Sequence, residues 1–385
     1  YEISLGLVGS EMCIRDSTLT AASGSKTAIS TVTVSPLAPA AFIPDVIAYQ
    51  MRLSPDGTRL AYLHYYIDGV QRLSILNTLT GAIIGTLTTA FDYNSQSLWF
   101  NHDSTLLYIK DAPAKCLKAY YTNSLVEVAR LTDVTFKGLA VSPDGSLVYV
   151  ARNDLNALQV LDARNLTEVT RVPGLLGIGG VSVSDDGAHA YVTAGNRLFH
   201  IDTATSRVIK IIEVGKDVSN AEGPTFSPDG NLAYIVAPGT LIKVDTSRDE
   251  VVSTLRIEYQ DYPGQYFMQR YSFSPDRRRG YVWVSGGIVA VDTQSMSIVA
   301  TVPFRMDSYN SIAAGPDGKW FFATWREHET SKVNFSIIDT ATFGVRTIPM
   351  GSALSKSWVI SLAGTRAYIG LEDLPGVTGI KVLDL

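Results

Sequence analysis

One turn phrase, flanked by apolar runs, recurs along the chain. Counting intact and degenerate forms, its copies begin at residues 54, 101, 142, 184, 227, 274, 315 and 361, which are 41 to 47 residues apart. The intact form is Ser-Pro-Asp-Gly, as at 54–57, 142–145 and 227–230. A repeat of this length is typical of one supersecondary unit copied in tandem, each copy burying its apolar face against its neighbours.

Each copy has the pattern of short strands joined by tight turns. Pro presets φ at the second turn position and Gly takes the left-handed position, so the phrase joins two antiparallel strands. The strand before the turn is apolar, and the strand after it carries an aromatic residue seven positions beyond the Ser. These aromatics, which we expect to pack between copies, are Tyr108, Tyr149, Tyr191, Tyr234, Tyr281, Phe322 and Tyr368, with Tyr62 one position later in the first copy.

A third strand ends in an Asp-Thr turn, and a fourth strand follows it. The turn occurs at 202–203, 245–246, 292–293 and 339–340. Its side-chain oxygens can accept hydrogen bonds from the backbone amides just ahead, which closes the turn without glycine. Four short antiparallel strands in about 40 residues predict a propeller blade. The expected fold class is therefore all-β, a β-propeller of four-stranded antiparallel blades.

The number of blades depends on how the ring closes. Seven copies contain candidates for all four strands, whereas the copy at 361 ends after its third strand, at 382–385. The segment 27–34 alternates polar and apolar residues and would supply the missing strand. Joining the two chain ends in one blade removes an exposed edge. We expect eight blades closed by an N-terminal strand, with seven blades as the alternative.

The N-terminal segments differ in character from the repeats. Residues 1–17 lack the basic start and the long apolar core of a signal peptide, and they resemble translated sequencing-adapter read-through. Residues 18–45 contain the alternating strand and a Pro- and Ala-rich linker. This segment is either the closing strand or the tail of an upstream module resembling an immunoglobulin-like or PKD domain. The propeller itself is expected over 46–385.

Composition narrows the classes of function. Charged residues make up 18% of the chain, the net charge is -5 and no basic block occurs, which argues against nucleic-acid binding. No apolar stretch approaches the roughly 20 residues that span a bilayer, so no membrane span is predicted. Of the 2 cysteines, Cys13 lies in the first segment and Cys116 stands alone, so no disulfide framework is predicted.

The repeat also carries a family resemblance. Asp-Gly is followed by Tyr-Val-Ala at 149–151 or Tyr-Val-Thr at 191–193, and Ile-Asp-Thr-Ala-Thr stands at 201–205. This pattern resembles the YVTN family of bacterial and archaeal β-propeller repeats, and the resemblance covers the segment 46–385. It implies the propeller fold and an extracellular, cell-surface or periplasmic location. It implies no particular reaction.

Unequal spacing between the two turns locates irregular loops. From the Ser of the first turn to the Asp of the second, 18 residues separate the turns in the copies at 184, 227 and 274, and 20 in the copy at 142. The separation is 23 or 24 residues in the copies at 54, 315 and 361. The longer loops lie on the face opposite the short turns, and a closed ring makes these copies consecutive. Binding residues tend to lie on such loops, so we predict a ligand-binding wall there.

Aromatic and charged residues are common in the predicted wall. Together with a long connection on the opposite side of the ring, the wall contributes the ligand-binding candidates Tyr65, Tyr66, Asp68, Tyr259, Tyr262, Tyr266, Trp325, Arg326, Glu327, Glu329, Glu372 and Asp373. Aromatic side chains among carboxylates and an Arg suit a protein, a peptide or a cell-wall polysaccharide. The alternative is that these are ordinary solvated or edge-packing loop residues.

Catalytic and metal-binding signatures are weak. In Glu327-His328-Glu329, strand alternation would turn His328 away from the two carboxylates, which disfavours a metal site. No Gly-x-Ser-x-Gly elbow, paired-cysteine metal site or phosphate-binding glycine loop occurs. We therefore predict no catalytic residue, metal or cofactor.

Two functional hypotheses remain. The favoured one is a non-catalytic binding propeller of an extracytoplasmic protein, with its ligand on the irregular loops. The alternative, taken from related propellers, is an enzyme resembling a lactonase or a quinone-dependent dehydrogenase, with its site at the mouth of the central channel. His, Arg and carboxylates converging there would favour the enzyme, and a ring of Ser, Ala and Val would argue against it. The histidines His102, His189 and His200 are expected to be structural or exposed.

Overall fold

The chain forms an all-β propeller of eight blades. The computed structural model describes residues 17–23, 26–32, 42–44, 46–65, 70–91, 97–215, 217–219, 221–257, 271–284, 287–304, 306–327, 332–351, 354–372 and 379–385. All the regular elements in this part are strands, arranged as eight four-stranded sheets and one two-stranded sheet. Accordingly, it includes no helix with the length and apolarity that a bilayer crossing would require. The predicted fold class is confirmed, with eight blades rather than seven.

The first four blades follow chain order from their first to their fourth strand. Their strands are β4 (Ile47–Leu53), β5 (Arg59–Tyr65), β6 (Gln71–Asn77) and β7 (Ile83–Thr88) in blade 1; β8 (Leu98–Phe100), β9 (Leu106–Asp111), β10 (Cys116–Tyr121) and β11 (Glu127–Leu131) in blade 2; β12 (Phe136–Val141), β13 (Leu147–Arg152), β14 (Ala157–Asp162) and β15 (Glu168–Pro173) in blade 3; β16 (Ile178–Val183), β17 (His189–Ala194), β18 (Arg197–Asp202) and β19 (Arg207–Glu213) in blade 4.

The remaining blades have the same order, except that blade 8 takes its fourth strand from the N-terminal region. Their strands are β20 (Thr225–Phe226), β21 (Leu232–Ala237), β22 (Thr240–Asp245) and β23 (Glu250–Arg256) in blade 5; β24 (Tyr271–Phe273), β25 (Arg279–Val284), β26 (Gly287–Asp292) and β27 (Ser297–Pro303) in blade 6; β28 (Met306–Ala314), β29 (Trp320–Glu327), β30 (Val333–Asp339) and β31 (Val345–Gly351) in blade 7; β32 (Leu354–Ile360), β33 (Arg366–Glu372), β34 (Gly379–Asp384) and β3 (Phe42–Pro44) in blade 8.

The ring closes through β3. Its residue Ile43 pairs with Ile380 of β34, and β32 of blade 8 lies beside β4 of blade 1. Closure by an N-terminal strand is confirmed, but the expected segment was wrong. Within 27–34, the residues of β2 (Lys26–Val32) pair instead with β1 (Ser17–Ser23). Because β3 ends at Pro44 and β4 begins at Ile47, the closing strand and blade 1 are almost contiguous.

The first strands of neighbouring blades lie beside one another, as β12 does beside β16, and we call them the inner strands. The Ser-Pro-Asp-Gly turn that follows each inner strand has its fourth residue in the left-handed region, with φ of 69° at Gly57 and 72° at Gly145. Where the phrase is degenerate, Ser104 and Arg277 adopt the same conformation, with φ of 62° and 58°. The turn type predicted from the sequence is thus kept even where glycine is replaced.

The second signature, the Asp-Thr turn, is tied to the first. The Thr hydroxyl donates a hydrogen bond to the carbonyl oxygen of the left-handed residue, at 2.6 Å from Thr246 to Gly230 and 2.6 Å from Thr203 to Gly187. The Asp carboxylate accepts from amides just ahead, as Asp202 does from Thr205 at 2.7 Å. Both repeated motifs therefore hold the same face of each blade, which we call the turn face.

The aromatic column packs between blades as predicted. Tyr149 of blade 3 lies in one cluster with Val181 of blade 4, and Tyr191 of blade 4 lies with Ile235 of blade 5. Tyr62, which lies one position later in its copy than the other aromatics, packs against the preceding blade of the ring, blade 8. Successive residues of a strand point to opposite faces, so a shift of one position changes the neighbour that an aromatic reaches.

Glycines let two inner strands, and the segment that leads to a third, approach at backbone distance. A Cβ built on Gly138 would lie 3.0 Å from the Cα of Gly180, and one built on Gly180 would lie 2.0 Å from the amide nitrogen of Gly223. These residues belong to blades 3, 4 and 5. On this side of the ring the spacing between blades is set by backbone contacts, not by side chains.

Candidate functional site

The irregular loops predicted to bind ligand have the expected unequal lengths. Between the second and third strands, the connections span 66–70 in blade 1, 328–332 in blade 7 and 373–378 in blade 8, against 195–196 in blade 4. Most candidates lie outside the described residues, namely Tyr66, Asp68, Tyr259, Tyr262, Tyr266, Glu329 and Asp373. Tyr65 and Glu372 end strands, and their side chains lie outside the described part. The binding role of these residues stays a prediction.

Three candidates are described, and all lie in strand β29. Trp325 donates from Nε1 to Ser336 Oγ at 2.9 Å, and its ring centroid lies 5.1 Å from that of Phe304. Arg326 and Glu327 are half-buried at the end of the same strand. All three residues thus belong to a strand rather than to a free loop, and Trp325 bridges the packing of blades 6 and 7.

We expect Trp325→Ala to lower the free energy of unfolding by about 2 kcal/mol, because a fully buried Trp→Ala change costs roughly 3–5 kcal/mol and Trp325 is half-buried. Urea unfolding followed by circular dichroism measures the change. Trp320→Ala is the matched control, since Trp320 is 40% exposed in the same strand. Unchanged stability together with weaker ligand uptake would assign Trp325 to ligand binding instead.

The described residues enclose a large cavity in the central channel. It has a volume of about 840 Å³ and is lined by residues of six blades, 1, 2, 3, 6, 7 and 8. Only the central channel can be bordered by so many inner strands at once. The lining includes the ends of the inner strands and their turns, such as Leu53 and Pro55, so the cavity is the channel mouth on the turn face.

Arg52 is the charged residue of the channel wall at this level. It lies two positions before the turn, and its side chain is exposed although it belongs to an inner strand. Enclosure by the surrounding blades lowers the pKa of its guanidinium, whereas the negative charge of Glu222 in blade 5 raises that pKa. An exposed guanidinium in the channel wall is accessible to an anionic partner.

Glu222 lies across the ring from Arg52, in the blade opposite blade 1. Tyr271 donates from its hydroxyl to Glu222 Oε2 at 3.3 Å. Burial and the nearby Glu222 raise the pKa of Tyr271, so this phenol is neutral at physiological pH. Glu222 does not line the cavity at the turn face. Its negative charge raises the pKa of Arg52 and thus partly balances that guanidinium.

Two further basic groups lie at the rim of the cavity. Arg277 donates to the backbone carbonyl oxygens of Ser274 at 3.1 Å and Phe226 at 3.3 Å, which fixes its guanidinium over the junction of blades 5 and 6. His102 is exposed in the turn of blade 2. Among the described residues that line the cavity, none is Asp or Glu.

Small residues fill most of the ring at the level of Arg52. The equivalent positions in the other blades are Trp99, Ala140, Ser182, Thr225, Ser272, Ala313 and Val359. All but Trp99 are Ala, Ser, Thr or Val. Apart from Arg52, the groups expected of a catalytic centre do not converge at this level.

Backbone amides at the edges of two inner strands donate hydrogen bonds to side chains of neighbouring blades. Met51 donates its amide to Ser357 Oγ at 2.9 Å, and Ala314 donates to Ser272 Oγ at 2.8 Å. Free edges of strands otherwise present unpaired amides and carbonyls. The hydroxyls of Ser357 and Ser272 are therefore structural.

The aspartates of the turns form an acidic ring around this mouth. Asp144 accepts hydrogen bonds from Ser142 Oγ at 2.5 Å and from Ser146 Oγ at 2.7 Å, and these bonds lower the pKa of its carboxyl. The same arrangement lowers the pKa of Asp186, Asp229 and Asp276. The turn carboxylates are thus ionised and engaged within their own turns.

The histidines of blade 4 form a separate cluster at the boundary with blade 5. His200 Nδ1 lies 2.7 Å from Asp249 Oδ1, and its Nε2 lies 2.9 Å from His189 Nδ1. The His200 ring stacks on Tyr191 with centroids 4.4 Å apart. Burial lowers the pKa of His200, which Asp249 partly offsets. Across the described ranges, no group of three or more His, Cys, Asp or Glu is arranged to hold a metal ion.

Comparison with known proteins finds solved structures of similar fold but no matching family. No family model matches the chain, and no curated protein matches it. A similar solved structure is the C-terminal WD40 domain of Sif2, with 12% identity, a TM-score of 0.64, and coverage of 89% of this chain and 97% of that one.

Two enzyme structures are also similar. The dihydro-heme d1 dehydrogenase NirN in complex with DHE has 12% identity and a TM-score of 0.58, covering 78% of this chain and 66% of that chain. Hydrazine synthase of Kuenenia stuttgartiensis has 24% identity and a TM-score of 0.48, covering 62% of this chain and 75% of that chain. At these identities the likeness concerns the fold alone, which hosts both binding domains and enzymes. The resemblance to the YVTN family stays a prediction.

Proposed function

We propose that the protein is a non-catalytic binding propeller that holds an anionic ligand at the mouth of its central channel, on the turn face. The observation that carries this proposal is the composition of the cavity. Arg52 lies in its wall and Arg277 and His102 at its rim, and its described lining contains no carboxylate side chain. Such a cavity is unusual in a chain of net charge -5. Concave sites with a few placed polar groups are the common form of ligand pockets.

The enzyme hypothesis has less support. General acid–base or nucleophilic catalysis needs a reactive group within hydrogen-bond reach of a base or acid. At the level of Arg52 the other blades contribute small residues and Trp99. The carboxylates nearest the mouth are engaged in turns, as Asp144 is by Ser142.

The irregular loops of the opposite face remain part of the proposal as a second contact region. A protein, peptide or cell-wall polysaccharide partner there is supported by the aromatic and charged composition of these loops. An extracytoplasmic location is proposed from the family resemblance alone.

The anion site is tested by anomalous diffraction from crystals grown in sodium bromide. We expect a bromide peak inside the channel, in contact with the Arg52 guanidinium, because an exposed guanidinium in a cavity whose described lining has no carboxylate attracts a monovalent anion. Bromide at the exposed Arg171 of blade 3, whose side chain is 41% exposed, serves as the internal control for surface binding. Peaks on the outer surface with none in the channel would contradict the proposal.

A further inference from the structure

We propose that the ligand of the channel mouth is a monocarboxylate on a slim apolar or aromatic body, which enters with its carboxylate towards Arg52. This inference rests on the proposed function and specifies the chemistry of its ligand. Three observations support it. Apolar residues line the cavity, backbone amides at the strand edges are already hydrogen-bonded, and the positive charge of Arg52 lies inside a ring of negatively charged turn aspartates.

The walls favour an apolar body. Besides Arg52, the lining includes Trp99, Phe100, Phe273 and Trp358, together with aliphatic residues. These four aromatic residues are each 6 to 9% exposed, so packing holds them rigidly and they present only a small part of their surface, whereas Leu362 at the rim is 47% exposed. Rigid apolar walls provide contact area to an apolar ligand without ordering the protein further.

The strand edges disfavour a hydroxyl-rich ligand. A sugar needs many hydrogen-bonding partners, and each unpaired hydroxyl in a site of this kind carries a desolvation penalty. In the channel, the amide of Met51 is already paired with Ser357 and the amide of Ala314 with Ser272. Arg277 is likewise held by two backbone carbonyls. The guanidinium of Arg52 is the charged group that the wall offers to the ligand.

Charge favours a single negative group. A guanidinium matches the two oxygens of a carboxylate, which it can bind through parallel hydrogen bonds. The ionised turn aspartates, such as Asp144 and Asp276, surround the mouth and repel additional negative charge. A dianion or a polyanion therefore meets more repulsion than a monocarboxylate, whose one charge passes the ring and pairs with Arg52.

The size of the cavity is consistent with a small molecule. A volume of about 840 Å³ lies within the range of pockets that take drug-sized ligands. An arylalkyl carboxylate occupies part of this space in an extended form. Its aromatic end would then contact the walls near the rim, where Phe273 and the turn of blade 8 contribute.

The test is isothermal titration of the full chain with four probes: 4-phenylbutyrate, its neutral amide 4-phenylbutyramide, inorganic phosphate and glucuronate. We expect 4-phenylbutyrate to bind at least about 10-fold more tightly than each of the others, the equivalent of one bidentate charged contact. Sodium bromide added to the buffer is expected to weaken this binding by competition for Arg52.

The possible outcomes separate the ligand class from the site. If phosphate binds as tightly as 4-phenylbutyrate and competes with bromide, the preference for a carboxylate is overturned while the anion site stands. If glucuronate, a monocarboxylate on a hydroxyl-rich body, does so, the preference for an apolar body is overturned while the anion site stands. If the amide binds equally well, both the ligand class and the role of Arg52 are overturned. If no probe binds, the proposed ligand class is wrong, and anomalous diffraction from the bromide crystals tests the anion site separately.

Discussion

Gly180→Ala is expected to lower the free energy of unfolding by more than about 4 kcal/mol, or to prevent folding, which places it among the most damaging single substitutions. Its Cβ would lie 2.0 Å from the amide nitrogen of Gly223 and 2.4 Å from the carbonyl carbon of Glu222. Backbone atoms of blade 5 cannot move aside as the end of a flexible side chain can. Urea unfolding of the purified variant, or its yield in the soluble fraction, measures the effect.

The matched control is Gly344→Ala. A Cβ on Gly344 would meet only the Thr342 hydroxyl, at 3.2 Å, on an exposed turn of blade 7. We expect its free energy of unfolding to change by less than about 1 kcal/mol. If Gly180→Ala folded as stably as this control, the inner strand of blade 4 could not be in backbone contact with the segment that precedes the inner strand of blade 5, and the spacing of the ring described above would be incorrect.

The repeat explains why most of the fold could be predicted. The turn phrase fixes where each inner strand ends, and the aromatic seven residues beyond its Ser marks the face that packs on the next blade. Arg277 shows how far the pattern tolerates change, because it adopts the left-handed conformation with φ of 58° in place of glycine. Local turn chemistry and strand alternation are short-range signals, and both are visible in sequence.

The closing strand was harder to predict for a physical reason. Strand β3 (Phe42–Pro44) has only three residues, too few to show alternation, and it contains proline. The alternation of polar and apolar residues in the segment 27–34 favours it as the closing strand, yet its β2 residues pair with β1. Pairing of a short outer strand depends on its position beside β34, a long-range property that periodicity does not encode.

The proposed channel site lies outside the residues predicted from the sequence, because that prediction favoured long loops over short turns. Arg52 was nevertheless visible as an exception within its own repeat. When the copies are aligned on the Ser of the turn, the position two residues earlier carries Arg52 once, Trp99 once and small residues elsewhere. A single charged residue in a column of small ones is a signal for a channel-facing function, which the length of the adjoining turn does not reveal.

Arg52→Gln is expected to weaken the binding of 4-phenylbutyrate by at least about 10-fold while leaving stability nearly unchanged. A hydrogen bond to a charged group contributes about 1.5 kcal/mol or more, which corresponds to this factor. Gln is a shorter, neutral side chain that lacks the guanidinium and its paired N–H donors. Arg171→Gln is the control, because Arg171 pairs with Glu168 on the outer strand of blade 3, far from the channel.

Arg52 is proposed to make the channel mouth on the turn face an anion-binding site. The most direct measurement is a titration of the native protein, Arg52→Gln and Arg171→Gln with 4-phenylbutyrate under identical conditions. We expect equal affinity for the native protein and Arg171→Gln, and at least about 10-fold weaker binding by Arg52→Gln. Undiminished binding by a folded Arg52→Gln protein would contradict this role of Arg52.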